Sequence, residues 1–340
     1  MRGVTTRGDG AVELRDDLPK PELLDSADAI LRVTAAAICG SDLHFIKTPA
    51  IAPSGPLGHE FIGIVESIGD GVRGLAIGDR VMSNMFVACG LCPECRRGHQ
   101  TRCPEYKLFG SEPLAGGQAE FVRIPHADLV LTRLDDAVSE EDALVLTDIL
   151  PTAWAAVENP GVGAGSSLAI VGAGPVGQLI AELALARGAS SVFSVDFNEQ
   201  RLSRAEALGA IPIRGGENAA RAIIDANDGR GVDVAIDAVG SVNAAATAFE
   251  SLRVGGCLGL VGIITEGLLP LEAIKVLAKQ AVVMQIVGNP YTDNEVLIAM
   301  IRARRLSPGR VIERSYPLAD ALEAYRAFES REVVKAILRP

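Results

Sequence analysis

The 340-residue chain has no excess of positive charge: 43 acidic side chains face 32 basic ones, for a formal charge of -11 and a pI near 5.0. A surface of that sign repels a phosphate backbone, so nucleic acid is not expected as a partner. No apolar run approaches the roughly 20 residues that span a bilayer. The opening MRGVTTRGDG also lacks the apolar centre of an export signal. A cytoplasmic protein without a membrane segment is expected. Cysteines are few and unevenly placed. Cys89, Cys92, Cys95 and Cys103 crowd one short stretch, while Cys39 and Cys257 stand far from it, a distribution unlike a disulfide framework. Internal repeats and low-complexity segments are also lacking.

What is present is a globular, turn-rich composition, 48% hydrophobic with 36 glycines. The length exceeds what one hydrophobic core ordinarily supports, which predicts two domains. Over residues 1–147 short strands dominate (DAILRVTAAAI, HEFIGIVESIG, DRVMSNMFV, QAEFVRIP), separated by Gly, Pro and Asp turns. Over residues 148–288 apolar runs alternate with helical stretches (LAIVGAG, SVFSVD, DVAIDAVG, GCLGLVGI, VVMQIVGN), the pattern of a parallel sheet covered by helices. Over residues 289–340 that rhythm stops, leaving helices around EVLIAMIRARRL and ADALEAYRAF and a strand VVKAIL, a tail expected to rejoin the first domain. The basic run Arg302, Arg304, Arg305 reads as a solvated helix face or end.

The four clustered cysteines form CxxCxxC with a fourth sulfur after seven more residues. Four thiolates close a tetrahedral shell around zinc and leave no position for water or substrate, so this site is expected to be structural. A redox CxxC needs only two sulfurs and opens a helix, whereas Gly90, Pro93 and Gly98 mark a loop. A nucleic-acid-binding zinc ribbon conflicts with the acidic pI.

Gly172, Gly174 and Gly177 follow the strand LAIV and open an amphipathic helix in which Val176, Leu179, Ile180, Leu183 and Ala184 share one face and Gly188 supplies the stop. A dinucleotide pyrophosphate would meet free N–H groups there. The next strand ends in Asp196, 19 residues beyond Gly177. A carboxylate at that point binds ribose hydroxyls and disfavours the extra phosphate of NADP, so NAD is the expected cofactor. Asn198 is placed to cap the following helix and Gly209 to end it.

The segments AAICGSDLH, PLGHEFIGIVESIG, the cysteine loop, TDILPTAW and IVGAGPVG stand in an order that resembles the zinc-containing medium-chain alcohol dehydrogenases, over nearly the whole chain. The likeness is strongest to the shorter bacterial branch that includes secondary-alcohol, polyol and formaldehyde dehydrogenases. It implies an α/β protein: a β-rich GroES-like catalytic domain plus a Rossmann domain, with two zinc ions per chain and a homodimeric or homotetrameric assembly. It gathers Cys39, His59, Glu60 and Asp148 around a catalytic zinc in the cleft between domains, with Asp42 orienting the His59 ring. It makes Ser41 and His44 a proton relay by way of the nicotinamide ribose. It adds Pro175, Val176, Asp237, Val239, Gly240, Gly262 and Gly288 as cofactor contacts and sends Lys335 to the pyrophosphate. Gly40 stands where some relatives carry a phosphate-binding arginine.

Trp154, Tyr106 and Phe109 are candidates to line a substrate pocket, with packing as the alternative for Trp154. Cys257 reads as an inert core residue. The resulting expectation is reversible hydride transfer between a primary or secondary alcohol and NAD. Two other readings stand beside it: a reductase of C=C or C=N bonds on the same scaffold, and a non-catalytic NAD-binding protein.

Overall fold

A computed structural model describes residues 1–7, 10–48, 51–264, 268–269 and 271–340. The chain forms two compact units, Met1–Asp148 with Asn289–Pro340, and Ile149–Gly288. Among the described residues no helix is long and apolar enough to cross a membrane.

The first unit is organised by a seven-stranded sheet. Its centre is the antiparallel pair Ala29–Ala37 and Glu60–Ile68, nine residues each and rich in the β-branched and small residues that fit a pleated, buried surface. Arg80–Ser83 and Leu131–Arg133 extend one side. Ala336–Arg339 pairs with Ala29–Ala37 on the other and itself carries Arg314–Pro317, so the C-terminal tail completes the sheet begun by the N-terminal segment. Phe61, Val65, Phe109 and Ile124 are at most 1% exposed beneath this sheet. The segment DRVMSNMFV, expected as one strand, breaks after Ser83. Asn84 donates its N–H to the Val130 carbonyl, and Phe86–Val87 leaves to pair with Lys107–Leu108 at the base of the cysteine loop. The penultimate helix begins at Pro290 rather than Glu295, because proline in the first turn lacks only an N–H that would have no helical partner there.

The second unit carries a six-stranded parallel sheet in the order Ile211–Arg214, Ser191–Asp196, Ser167–Val171, Val232–Asp237, Leu252–Leu260, Val282–Gln285. The chain moves outward from Ser167–Val171 in one direction and then returns to its other side. Such a reversal opens a crevice at the carboxyl ends of the two middle strands. The helix Pro175–Ala186 buries Leu179, Ile180, Leu183 and Ala184 on one face, and Gly188 at φ +88° ends it. Asn198 caps Glu199–Ala207 by accepting from the Gln200 and Arg201 N–H groups.

Candidate active site

Cys39 caps the short helix Gly40–Ile46, and Asp42, one turn in, accepts the Cys39 N–H through Oδ2 at 3.0 Å. The same carboxylate presents Oδ1 3.2 Å from His59 Nδ1. His59 sits immediately before the strand Glu60–Ile68, and Asp148 ends the first unit two residues after the helix Glu140–Leu146. These segments converge. His59 Nε2 lies 3.2 Å from Asp148 Oδ2, Cys39 Sγ lies 3.6 Å from that oxygen, and single donor atoms of Cys39, His59, Glu60 and Asp148 all fall within 4.8 Å of one another. Ser41 Oγ joins them, 3.2 Å from Cys39 Sγ and 3.3 Å from His59 Nε2.

The electrostatics fit a cation. Burial pushes the Cys39 thiol up, and the Glu60 carboxylate adds to that. Burial opposes charge on His59, but Asp42, Cys39 and Asp148 together outweigh it and hold the ring well above its ordinary range. A metal ion bound here would have to displace these protons, since its ligands are thiolate and neutral imidazole. Lys335, 1% exposed, places Nζ 2.6 Å from Glu60 Oε2, and that carboxylate outweighs the burial that would lower the lysine. With Glu60 matched by Lys335, the Cys39 thiolate and the Asp148 carboxylate leave two negative charges beside a neutral imidazole. That mixed S, N, O set suits zinc.

The cysteine loop is a second donor set. Cys89, Cys92, Cys95 and Cys103 bring their sulfurs within 4.8 Å of one another. Cys89 and Cys95 are 4.0 Å apart, far beyond a disulfide and close to the roughly 3.8 Å that a tetrahedron of Zn–S bonds near 2.3 Å requires. Backbone N–H groups aim at the sulfurs: Cys92 N at Cys89 (3.3 Å), Cys95 N at Cys92 (3.4 Å), and Cys89 N and Glu105 N at Cys103 (3.4 Å each). Donors from Leu91 and Cys92 lower the Cys89 thiol to about 7, towards the thiolate a metal needs. The rim is tied down from within the same unit, because Tyr291 Oη donates to the Phe86 carbonyl and Asn289 Nδ2 to that of Gly98.

In the second unit the glycine turn has a steric logic. Gly172 adopts φ +108°, and a Cβ on Gly177 would fall 1.9 Å from the Gly172 carbonyl oxygen, so strand and helix meet with no room for side chains. No side chain caps Pro175–Ala186 at Gly174. Asp196 accepts the Ala173 N–H through Oδ2 and the Asn198 N–H through Oδ1, both at 2.9 Å, which binds the acid to the turn it serves.

Comparison with known proteins places this arrangement. The alcohol dehydrogenase GroES-like domain matches residues 25–134 and the zinc-binding dehydrogenase family matches residues 175–303. A probable zinc-binding alcohol dehydrogenase of Mycobacterium tuberculosis is 34% identical over all of this chain and 89% of its own length. The chain belongs to the zinc-containing medium-chain alcohol dehydrogenase family. The solved alcohol dehydrogenase of Thermus sp. ATN1 superposes with a TM-score of 0.93 at 34% identity, covering 100% of this chain and 99% of that one. A glutathione-independent formaldehyde dehydrogenase of Pseudomonas aeruginosa is 37% identical over 78% of this chain and 76% of its own.

Of the other residues singled out in the sequence, some stand where they were expected and some do not. Lys335, assigned to the pyrophosphate, is buried against Glu60 instead. Asp237 is fully buried, its Oδ1 accepts the Val239 and Gly240 N–H groups and so shapes a turn, and its Oδ2 has no hydrogen-bond partner among the described residues. Val239, beside it, is 49% exposed. Gly240 and Gly262 pack backbone to backbone, and Gly288 lies against Thr152, which accounts for these glycines sterically. Phe109 belongs to the core, fully buried and edge-on to Phe61 at 5.1 Å. Tyr106 stacks on Phe86 at 4.5 Å within electrostatic reach of His59 and Asp148, and Trp154 takes its packing alternative under the Arg187 guanidinium at 4.9 Å. Cys257 is half-buried on its strand rather than enclosed in the core. His44 lies one turn beyond Ser41 on the same helix and is half-buried. Arg201, not singled out in the sequence, brings Nη1 to 4.0 Å from Asp196 Oδ2, beside Gly174. The signal was a basic residue five positions after the strand-ending Asp196.

Proposed function

We propose that this chain is an NAD-linked alcohol dehydrogenase that converts a primary or secondary alcohol reversibly to an aldehyde or ketone. In this reading one zinc is held by Cys39, His59 and Asp148 and a second by Cys89, Cys92, Cys95 and Cys103. The observation that carries it is the Ser41 hydroxyl, lodged 3.2 Å from one proposed ligand atom and 3.3 Å from another. When bound, zinc supplies Lewis-acid polarisation of the alcohol oxygen and NAD supplies a hydride acceptor.

The protein's own residues do the rest. Ser41 Oγ receives the alcohol proton, and half-buried His44, one turn along, releases it to solvent. Asp42 keeps the His59 ring aimed, and Lys335 neutralises Glu60 so that the negative charge facing the substrate stays matched to a dication. The Gly172–Gly177 turn and the first turn of Pro175–Ala186, at Pro175 and Val176, take the pyrophosphate, and Asp196 takes the adenosine ribose.

A homodimer or homotetramer accompanies this reading. Val282–Gln285 is the last strand of its sheet, with Val282 54% and Val283 39% exposed, and the helix Ala273–Lys279 buries none of its residues. Apolar residues on an uncapped edge suit a second copy of this chain.

The test is metal analysis of the full chain together with a panel of short, long, secondary, aromatic and polyol alcohols, each with NAD and with NADP. Two zincs and alcohol-dependent NAD reduction are expected. Reduction of C=C or C=N substrates without alcohol turnover would establish the reductase instead. NAD binding with no turnover of any kind would leave a binding protein.

A further inference from the structure

Behind His59 a line of buried polar groups runs into the core past Asp42, and its members beyond Asp42 have no part in the proposed chemistry. Asp42 is fully buried, Gln118 is fully buried, and Tyr325, on the helix Ala321–Glu329, is 5% exposed. Tyr325 Oη donates to Gln118 Oε1 at 2.7 Å, and Gln118 Nε2 donates to Asp42 Oδ2 and to the Ala37 carbonyl, each at 3.1 Å. We propose that Gln118 and Tyr325 are positioning residues for His59, and that the chain Tyr325–Gln118–Asp42 fixes which nitrogen of the imidazole carries the proton. The inference rests on the reading of His59 as a zinc ligand.

The argument is one of donors and acceptors. Both hydrogens of the Gln118 amide meet atoms that only accept, so the amide has a single acceptable orientation. A flipped amide would set its oxygen against a carbonyl and a carboxylate. Its oxygen then requires a donor, and Tyr325 is that donor. Asp42 Oδ2 is occupied by two N–H groups, from Gln118 and Cys39. Oδ1 is left facing His59 Nδ1 at 3.2 Å, and neither of these two atoms has another hydrogen-bond partner among the described residues. With Oδ2 held by two donors, Oδ1 is the acceptor left for the imidazole, which puts the proton on Nδ1 and leaves the Nε2 lone pair towards Cys39 and Asp148. The backbone makes room for this wedge: Gly58, at φ +90° directly before His59, would carry its Cβ 2.4 Å from Gln118 Cγ. A core with no task here could be built from apolar side chains, which need no matched partners, whereas this one holds three buried polar side chains that must each find one.

The test uses the zinc-loaded full chain and follows release of each zinc to a chromogenic chelator, with the four-cysteine zinc in the same unit as an internal measure of folding. Removing a ligand's hydrogen-bond partner typically costs 10–100-fold in metal affinity, so Gln118→Met is expected to speed loss of the His59 zinc by about tenfold and Tyr325→Phe, one step further away, by ~3-fold. The cysteine-loop zinc should leave at its wild-type rate in both. In an Asp42→Asn background, Tyr325→Phe should add nothing. Equal acceleration at both sites, an unchanged rate at His59, or an undiminished Tyr325→Phe effect in the Asp42→Asn background would overturn the proposal and leave a packing role. Wild-type protein that binds only the cysteine-loop zinc would overturn the ligand reading itself, a result distinct from the other three.

Discussion

The cysteine loop gathers all its sulfurs between Cys89 and Cys103, whereas the other donor set draws Cys39 and Asp148 from positions 109 residues apart. In the loop, backbone N–H groups of the ligand-bearing segment itself point at the sulfurs, so local chain geometry does most of the assembly. At His59 every contact is made across the fold, from a helix cap, a strand start and the end of the first unit. A local site should fail with its loop, and an assembled site should report on chemistry.

The sharpest way to break this contrast is to remove one sulfur from each. Cys39→Ser should lower alcohol oxidation by about a thousandfold or more, since Lewis-acid stabilisation is worth several kcal/mol, while the thermal midpoint moves little. Cys103→Ser should do the reverse: one zinc lost, a clear fall in midpoint, and turnover per folded molecule largely kept. Paired activity and melting measurements decide it. If Cys103→Ser impairs folded molecules as severely as Cys39→Ser, the two sites are not separable.

The same contrast explains what could be read in advance. Sulfur spacing and the strand–glycine–helix turn are encoded within short windows, and both were legible as chemistry. Gly177 had to be glycine because of a carbonyl five residues away. The Cys39, His59 and Asp148 group came from family resemblance, because no local spacing brings the ends of three segments together. Lys335 shows the limit most clearly. A lysine in an apolar strand suggests an anion partner, but which anion depends on the register of Ala336–Arg339 against Ala29–Ala37, and that register turned it towards Glu60. The Gln118–Tyr325 link joins residues 207 apart and left no trace in either segment.

The Lys335–Glu60 pair sharpens the comparison energetically. Both side chains are at most 1% exposed, unlike the pair Arg2–Asp16, whose members are 45% and 75% exposed. Lys335→Met strands a buried carboxylate and should cost about 3–5 kcal/mol in urea unfolding, whereas loss of the Arg2 pair should cost under about 1 kcal/mol. Combining Lys335→Met with Glu60→Gln should recover most of the loss. A double variant no more stable than Lys335→Met alone would mean that the lysine stabilises the unit by packing and not by charge.

The smallest effect concerns the nucleotide turn, where local reading and structure pull in opposite directions. Asp196 alone argues for NAD, but Arg201 Nη1 stands 4.0 Å from it and offers a 2′-phosphate a partner. Asp196→Ala would also remove the acceptor of the Ala173 and Asn198 N–H groups and loosen the turn for either cofactor. Asp196→Asn is the cleaner change, because its oxygen can still accept one of those bonds while the charge is gone. The ratio of kcat/KM with NADP to that with NAD should then rise by about tenfold, or ~1.4 kcal/mol, and Arg201→Ala in the same background should return much of that gain. An Asp196→Asn ratio equal to wild type would show that the carboxylate holds the turn without facing the ribose.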